Sequence, residues 1–190
     1  MSKKERFFFF GFGQSAKYFV DYLLNSKRKF IFASTNTKKT KNIYFKKKKF
    51  TSYKFKDNLF DKNLIKVLLN SHYILISIPP QKNQDVVLKN FAKLLKNSNI
   101  KKIIYLSATS VYGNHDGKWV NEKSKLKGKT YLGSRRKKTE KLWINFRKKS
   151  KKDISILRVS GIYSKENNVL KKISKFYRRK TCLVCCSKTI

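Results

Sequence analysis

The segment Gly11-Phe12-Gly13-Gln14-Ser15-Ala16 is the first place where residue type and spacing point to chemistry. It follows an apolar run, Arg6 to Phe10, which reads as a buried parallel strand. Apolar residues then recur at Ala16, Phe19, Val20, Leu23 and Leu24, one face of a helix. A Gly-x-Gly-x-x-Ala turn between strand and helix suits a phosphate. Gly11 permits the tight turn, Gly13 has no Cβ to keep a diphosphate off the backbone, and Ala16 lets the helix pack closely on the strand. The helix amides and the positive end of its dipole would face the anion, with Phe12, Gln14 and Ser15 in the same loop. The other reading is a glycine turn that binds no nucleotide.

About twenty positions on, an acidic residue would hold the ribose diol of NAD. Here stand Ser34, Thr35, Asn36 and Thr37, then Lys38 and Lys39. Hydroxyls and lysines suit a 2′-phosphate, so the expected cofactor is NADP, with NAD also open. No metal site is expected. Cys182, Cys185 and Cys186 crowd the last nine residues, and His72 and His115 stand alone.

Alternating strands and helices must position this loop. Strands are expected at Lys29 to Ser34, Tyr73 to Ile78, Ile103 to Ser107 and Ile154 to Val159, with a third, more exposed strand within the ambiguous stretch Ile43 to Phe55. Helices are expected over Leu59 to Asn70, around Val86 to Leu95, and over Ser134 to Lys148. The alternation implies a Rossmann-type, doubly wound parallel α/β sheet in three α/β/α layers. Residues 1–170 would form that domain, and 171–190 an irregular tail.

The chain has 190 residues, 40% of them hydrophobic, enough for one buried core. No apolar run approaches the roughly 20 residues of a membrane helix, and no cleavage site follows the basic N-terminus, so a soluble cytoplasmic protein is expected. The net charge of +38 invites a nucleic-acid reading. Yet only 8 of the 48 basic residues are arginine, and lysine is spread throughout among many Asn, Ile, Phe and Tyr. That mixture reads as an AT-biased coding sequence, with Lys46 to Lys49 as a solvated loop. A specific nucleic-acid partner is not expected.

Four motifs, in this order, carry a family resemblance: the glycine loop, Ile-Ser-Ile-Pro-Pro at 76 to 80, Ser-Val-Tyr-Gly at 110 to 113, and Leu157-Arg158-Val159-Ser160-Gly161-Ile162-Tyr163. Trp119-Val120-Asn121-Glu122 is similar to the acidic turn of the same family. The chain resembles the extended short-chain dehydrogenases, the NAD-dependent epimerase/dehydratase family, over residues 7 to about 170. The resemblance implies that Ile78, Pro79 and Ser107 line the cofactor. It also implies a Ser or Thr and a Tyr-x-x-x-Lys pair acting on a substrate carbonyl or alcohol. The family's hydroxyl position falls on Ala108, flanked by Ser107 and Thr109. Tyr131 and Arg135 have Tyr-x-x-x-Arg spacing, whereas alignment through Glu140 puts Leu132 and Arg136 in those places. The implied catalytic set is Ser107, Thr109, Tyr131 and Arg135. Arg158, inside an apolar strand, needs a partner, and a buried ion pair is expected. Relatives continue into a smaller substrate-covering part, which the tail does not match, so a truncated or frameshifted end is expected; the oligomeric state is open, a homodimer being common among relatives. A catalytically silent dinucleotide-binding protein remains the alternative to an oxidoreductase or epimerase.

Overall fold

A computed structural model describes residues 4–26, 28–81 and 84–162. The fold below is that of the unit Met1–Arg158; a second unit runs from Val159 to Ile190. Tyr163, the three cysteines and the tail from residue 171 lie outside the described residues.

The elements follow in the order β1 (Glu5–Phe10), α1 (Gln14–Asn25), β2 (Phe30–Asn36), β3 (Lys41–Phe45), β4 (Lys48–Lys56), β5 (Leu59–Phe60), α2 (Asn63–Leu69), β6 (Tyr73–Ile76), α3 (Val86–Asn97), β7 (Lys102–Ala108), α4 (Tyr131–Ser150) and β8 (Ile154–Val159). Across the sheet the strands lie β3-β4-β2-β1-β6-β7-β8, and β5 pairs with β4. The pairs from β4 through β2, β1 and β6 to β7 are parallel. Strands β3 and β5 are antiparallel to β4. Without those two additions the order is the doubly wound Rossmann pattern, and its direction reverses between β1 and β6. A crevice at the carboxyl ends of β1 and β6 is therefore where a ligand would lie.

The run Phe7 to Phe10 is apolar throughout because β1 is buried on both faces. Phe8 and Phe10 join one core cluster with Leu64 and Leu68 of α2, Phe91 and Leu95 of α3, and Trp143 of α4. Phe7 and Phe9 join another with Ala16, Val20 and Leu23 of α1. Each buried ring contributes about 1.5–3 kcal/mol of hydrophobic stabilisation. Among the described residues no helix is long and apolar enough to cross a membrane.

Several boundaries differ from expectation, each for a local reason. Ile43 to Phe55 holds two strands, β3 and β4, with Ile43 opposite Phe50 and Tyr44 opposite Lys49. The turn between them is made at Lys46 with φ 53, a conformation usually given to glycine, so no glycine marks it. The run Lys46 to Lys49 is thus a hairpin turn and the start of β4 rather than a loop between elements. Leu59 and Phe60 pair with Lys56 and Phe55, which delays α2 to Asn63. Strand β6 stops at Ile76, and α4 begins at Tyr131, where the Thr130 side chain caps it by accepting the Gly133 N–H at 3.1 Å.

Candidate functional site

The glycine loop crosses from β1 to α1 at the carboxyl edge of the sheet. Gly11 has φ +87, and a Cβ there would lie 2.9 Å from Ile78 Cγ2 and 3.0 Å from Ser77 Oγ. Any side chain would collide with the residues that follow β6. Gly13 is the opposite case: a Cβ would meet nothing within 4 Å. Gly13 caps α1, its carbonyl accepting the Lys17 N–H at 3.0 Å. Open space therefore lies before the first turn of a helix whose dipole favours an anion. Gln14 and Ser15 begin that turn half-buried, and Ala16 is fully buried against the sheet. Phe12 lends the loop its backbone only. Its ring stacks on Phe32 at 5.8 Å and leans on Phe50 at 4.8 Å.

The end of β2 shows which of its polar residues face outward. Ser34 is buried and donates to Ser52 Oγ at 3.0 Å. Thr35 is 4% exposed, and its hydroxyl accepts the Gly11 N–H at 2.9 Å. Both hydroxyls are engaged within the fold. Asn36 holds the next turn: its amide donates to the Lys39 carbonyl and to Ser52, while its oxygen accepts the Lys38 N–H at 2.9 Å. Lys38 and Lys39 are left exposed at this corner. Ile78 and Pro79 follow β6 beside the loop, Ile78 half-buried and Pro79 exposed. Sequence reasoning overlooked Ser77, whose hydroxyl donates to the Phe10 carbonyl at 3.0 Å.

On the other side of the crevice, Ser107 near the end of β7 is buried, and its hydroxyl finds no hydrogen-bond partner among the described residues. Ala108 follows on the opposite face of the strand. Thr109 begins a short 3-10 turn, Thr109–Val111, and is exposed. Gly128 and Gly133 hold the start of α4 against that turn: a Cβ on either would stand 2.4 Å from the Ser110 carbonyl oxygen. Tyr131 is 71% exposed, with the Arg135 guanidinium 4.5 Å above its ring. Arg136 donates to the Leu106 carbonyl at 3.2 Å. The structure thus brings Tyr131 and Arg135 together and leaves Leu132 exposed beside them.

Behind this wall lie buried polar groups. Glu140 is 1% exposed and pairs with Arg158 at 2.9 Å; Arg158 also donates to the Tyr112 hydroxyl and the Glu122 carbonyl. That is the ion pair expected for Arg158, and the Glu140 hydrogen bond holds the guanidinium pKa above its ordinary value. Asp85 caps α3, accepting the Val87 and Leu88 N–H groups and the Trp143 indole N–H at 3.0 Å. Burial pushes its carboxyl pKa up, opposed by those hydrogen bonds.

No protein-family model and no curated protein matches the chain. Solved structures do match. A conserved protein of unknown function from Silicibacter pomeroyi superposes with a TM-score of 0.65 at 19% identity, over 90% of this chain and 57% of that one. UDP-glucuronic acid 4-epimerase from Bacillus cereus, in complex with NAD, gives 0.67 at 18%, over 83% and 57%. dTDP-glucose 4,6-dehydratase from Bacillus anthracis, in complex with NAD, gives 0.68 at 15%, over 86% and 56%. The chain spans less than three fifths of each of these structures. At such identities the likeness is one of fold: this chain shares the Rossmann-type α/β architecture of these structures.

Proposed function

We propose that the chain is the NADP-binding part of an oxidoreductase or an epimerase/dehydratase-like protein acting on a carbonyl, alcohol or sugar-nucleotide-like substrate. One observation carries the reading: the first turn of α1 opens onto space that a Cβ at Gly13 would enter without contact, while Gly11 is pressed under the end of β6. The cradle fits a diphosphate. Gly13, Gln14 and Ser15 would hold it, Lys38 and Lys39 would take the 2′-phosphate, and Ile78, Pro79 and Ser107 would flank the rest of the dinucleotide. The bound nicotinamide supplies hydride transfer. Tyr131, with Arg135 over its ring, would move the proton, and Ser107 or Thr109 would orient the substrate oxygen. The neighbours with NAD bound support a nicotinamide dinucleotide in general. The choice of NADP rests on the two lysines and on the lack of an acidic residue among residues 34–39.

A second reading, dinucleotide binding without turnover, is favoured by Ala108 at the family's hydroxyl position and by the exposure of Tyr131.

Titration of NADPH and NADH into wild type and Gly13→Asp tests both readings at their common root. An aspartate would bring a negative charge near the diphosphate. Two unit charges 4 Å apart at an effective dielectric of 20 repel by about 4 kcal/mol. The variant is expected to bind NADPH at least about a hundredfold more weakly. Wild type should prefer NADPH, and replacing Lys38 and Lys39 by alanine should erase that preference without weakening NADH. Equal binding of NADPH by wild type and Gly13→Asp would refute the site.

A further inference from the structure

The two strands that flank β1 are β2 and β6, and each sends one hydroxyl to the same short piece of backbone. From β2, Thr35 Oγ1 accepts the Gly11 N–H at 2.9 Å. From just beyond β6, Ser77 Oγ donates to the Phe10 carbonyl at 3.0 Å and lies 3.4 Å from the Gly11 carbonyl oxygen. The Ser77 N–H reaches the same Phe10 carbonyl at 3.0 Å. The piece so held is where β1 leaves the sheet, at the one described residue between β1 and α1 that has positive φ. Nothing in the local sequence fixes such a conformation, because glycine is free to turn either way. The direction in which Gly13 and the first amides of α1 face therefore depends on what grips Gly11.

We infer that Thr35 and Ser77 are positioning residues, a two-sided hydroxyl clamp that holds the phosphate loop in its binding conformation before any ligand arrives. This rests on the dinucleotide reading above and adds to it. The expected 2′-phosphate contact of Thr35 gives way to an inward role: its oxygen serves the loop, and the exposed lysines at 38 and 39 are left for the ligand. A loop already in place spares the ligand the cost of ordering it. The two halves of the clamp are unequal. Thr35 supplies the hydroxyl that meets the half-buried Gly11 amide, and an amide out of the solvent's easy reach is costly to leave without a partner. Ser77 is backed by its own amide on the same carbonyl, so its hydroxyl matters less.

The experiment measures binding of NADPH, ADP and 2′-AMP to wild type, Thr35→Val, Thr35→Ser and Ser77→Ala, with thermal unfolding as a control. A valine keeps the shape of threonine and removes the acceptor. Thr35→Val is expected to weaken NADPH and ADP, which carry a diphosphate, about tenfold, and to leave 2′-AMP, which has none, unchanged. Thr35→Ser restores the hydroxyl and should restore binding; Ser77→Ala should cost about threefold. A merely structural role would weaken all three ligands alike. Such a uniform loss, or NADPH binding by Thr35→Val equal to wild type, overturns the clamp. Should Thr35→Val fail to fold, Ser77→Ala decides, and undiminished NADPH affinity there overturns it. Wild type that binds no dinucleotide refutes the cofactor reading and the clamp together. Wild type that loses NADPH on Gly13→Asp but not on Thr35→Val refutes the clamp alone.

Discussion

The two walls of the crevice are made of different material. On the β1–α1 side the groups that would meet a ligand belong to the backbone: a helix start, a turn with φ +87, and a position open enough for a phosphate. On the β7–α4 side they would have to be side chains, and there Ala108 ends β7 without a hydroxyl while Tyr131 stands 71% exposed. The scaffold of that second wall is nonetheless tightly kept. Gly128 and Gly133 lie against the Ser110 carbonyl, and Glu140 is buried against Arg158. Backbone sites need small residues at a few positions and tolerate much change elsewhere. Side-chain sites are undone by one replacement, even where every supporting contact survives.

The largest expected effect probes the weaker wall. With a carbonyl substrate that the wild type turns over, Tyr131→Phe should lower kcat about a hundredfold or more while leaving NADPH affinity within twofold, as for loss of a general acid. Steady-state rates with parallel binding titrations check this. Unchanged kcat would move the proton transfer to another group.

Next comes the support behind that wall. Glu140→Ala leaves Arg158 beside a buried vacancy and should destabilise the fold by about 2–3 kcal/mol. This lies below the 3–5 kcal/mol typical of broken buried pairs because Tyr112 and Glu122 remain as partners. Urea unfolding measures it. NADPH affinity of the folded variant should barely change, since the β1–α1 wall is built from other elements; a tenfold loss would show that the two walls are energetically one.

The smallest effect concerns Asp85. Its carboxyl pKa is raised by burial, so the folded state holds the proton more tightly than the unfolded state does. Its contribution to stability is fully present below the unfolded carboxylate pKa and is lost as pH rises through the higher folded value. The stability of wild type relative to Asp85→Asn should therefore fall as pH is raised from about 3 toward neutrality. A difference independent of pH, or one that grows with pH, would contradict the shift.

The β1–α1 side was the more legible of the two. The unbroken phenylalanines of β1 and the spacing of Ala16, Val20 and Leu23 state a buried strand and a helix face directly, and the glycines between them mark the turn. What stayed hidden there was the inward turn of Ser34 and Thr35, because a hydroxyl at a strand end can face either way until its neighbours, Ser52 and Gly11, are known. The hairpin was blurred for a different reason: Lys46 takes the positive-φ position with no glycine to announce it. The start of α4 was set late because Gly133 weakens the helical signal in the first turn, although it is the residue that lets the helix approach Ser110. Only the need of Arg158 for a partner was readable from the chain; that Glu140 meets it depended on bringing α4 beside β8.

Among the described residues, strand β3 is the last on its side of the sheet. Such a border is a template on which another chain could lay its own strand. Lys41 at its beginning, Lys47 in the adjoining turn and Lys49 across from Tyr44 are all exposed, so two of these borders meeting would press ammonium groups together. The surplus of positive charge acts here as a fence against edge-to-edge stacking. Added salt lowers that fence: the reach of the repulsion shrinks from about 30 Å at 0.01 M to about 8 Å at 0.15 M.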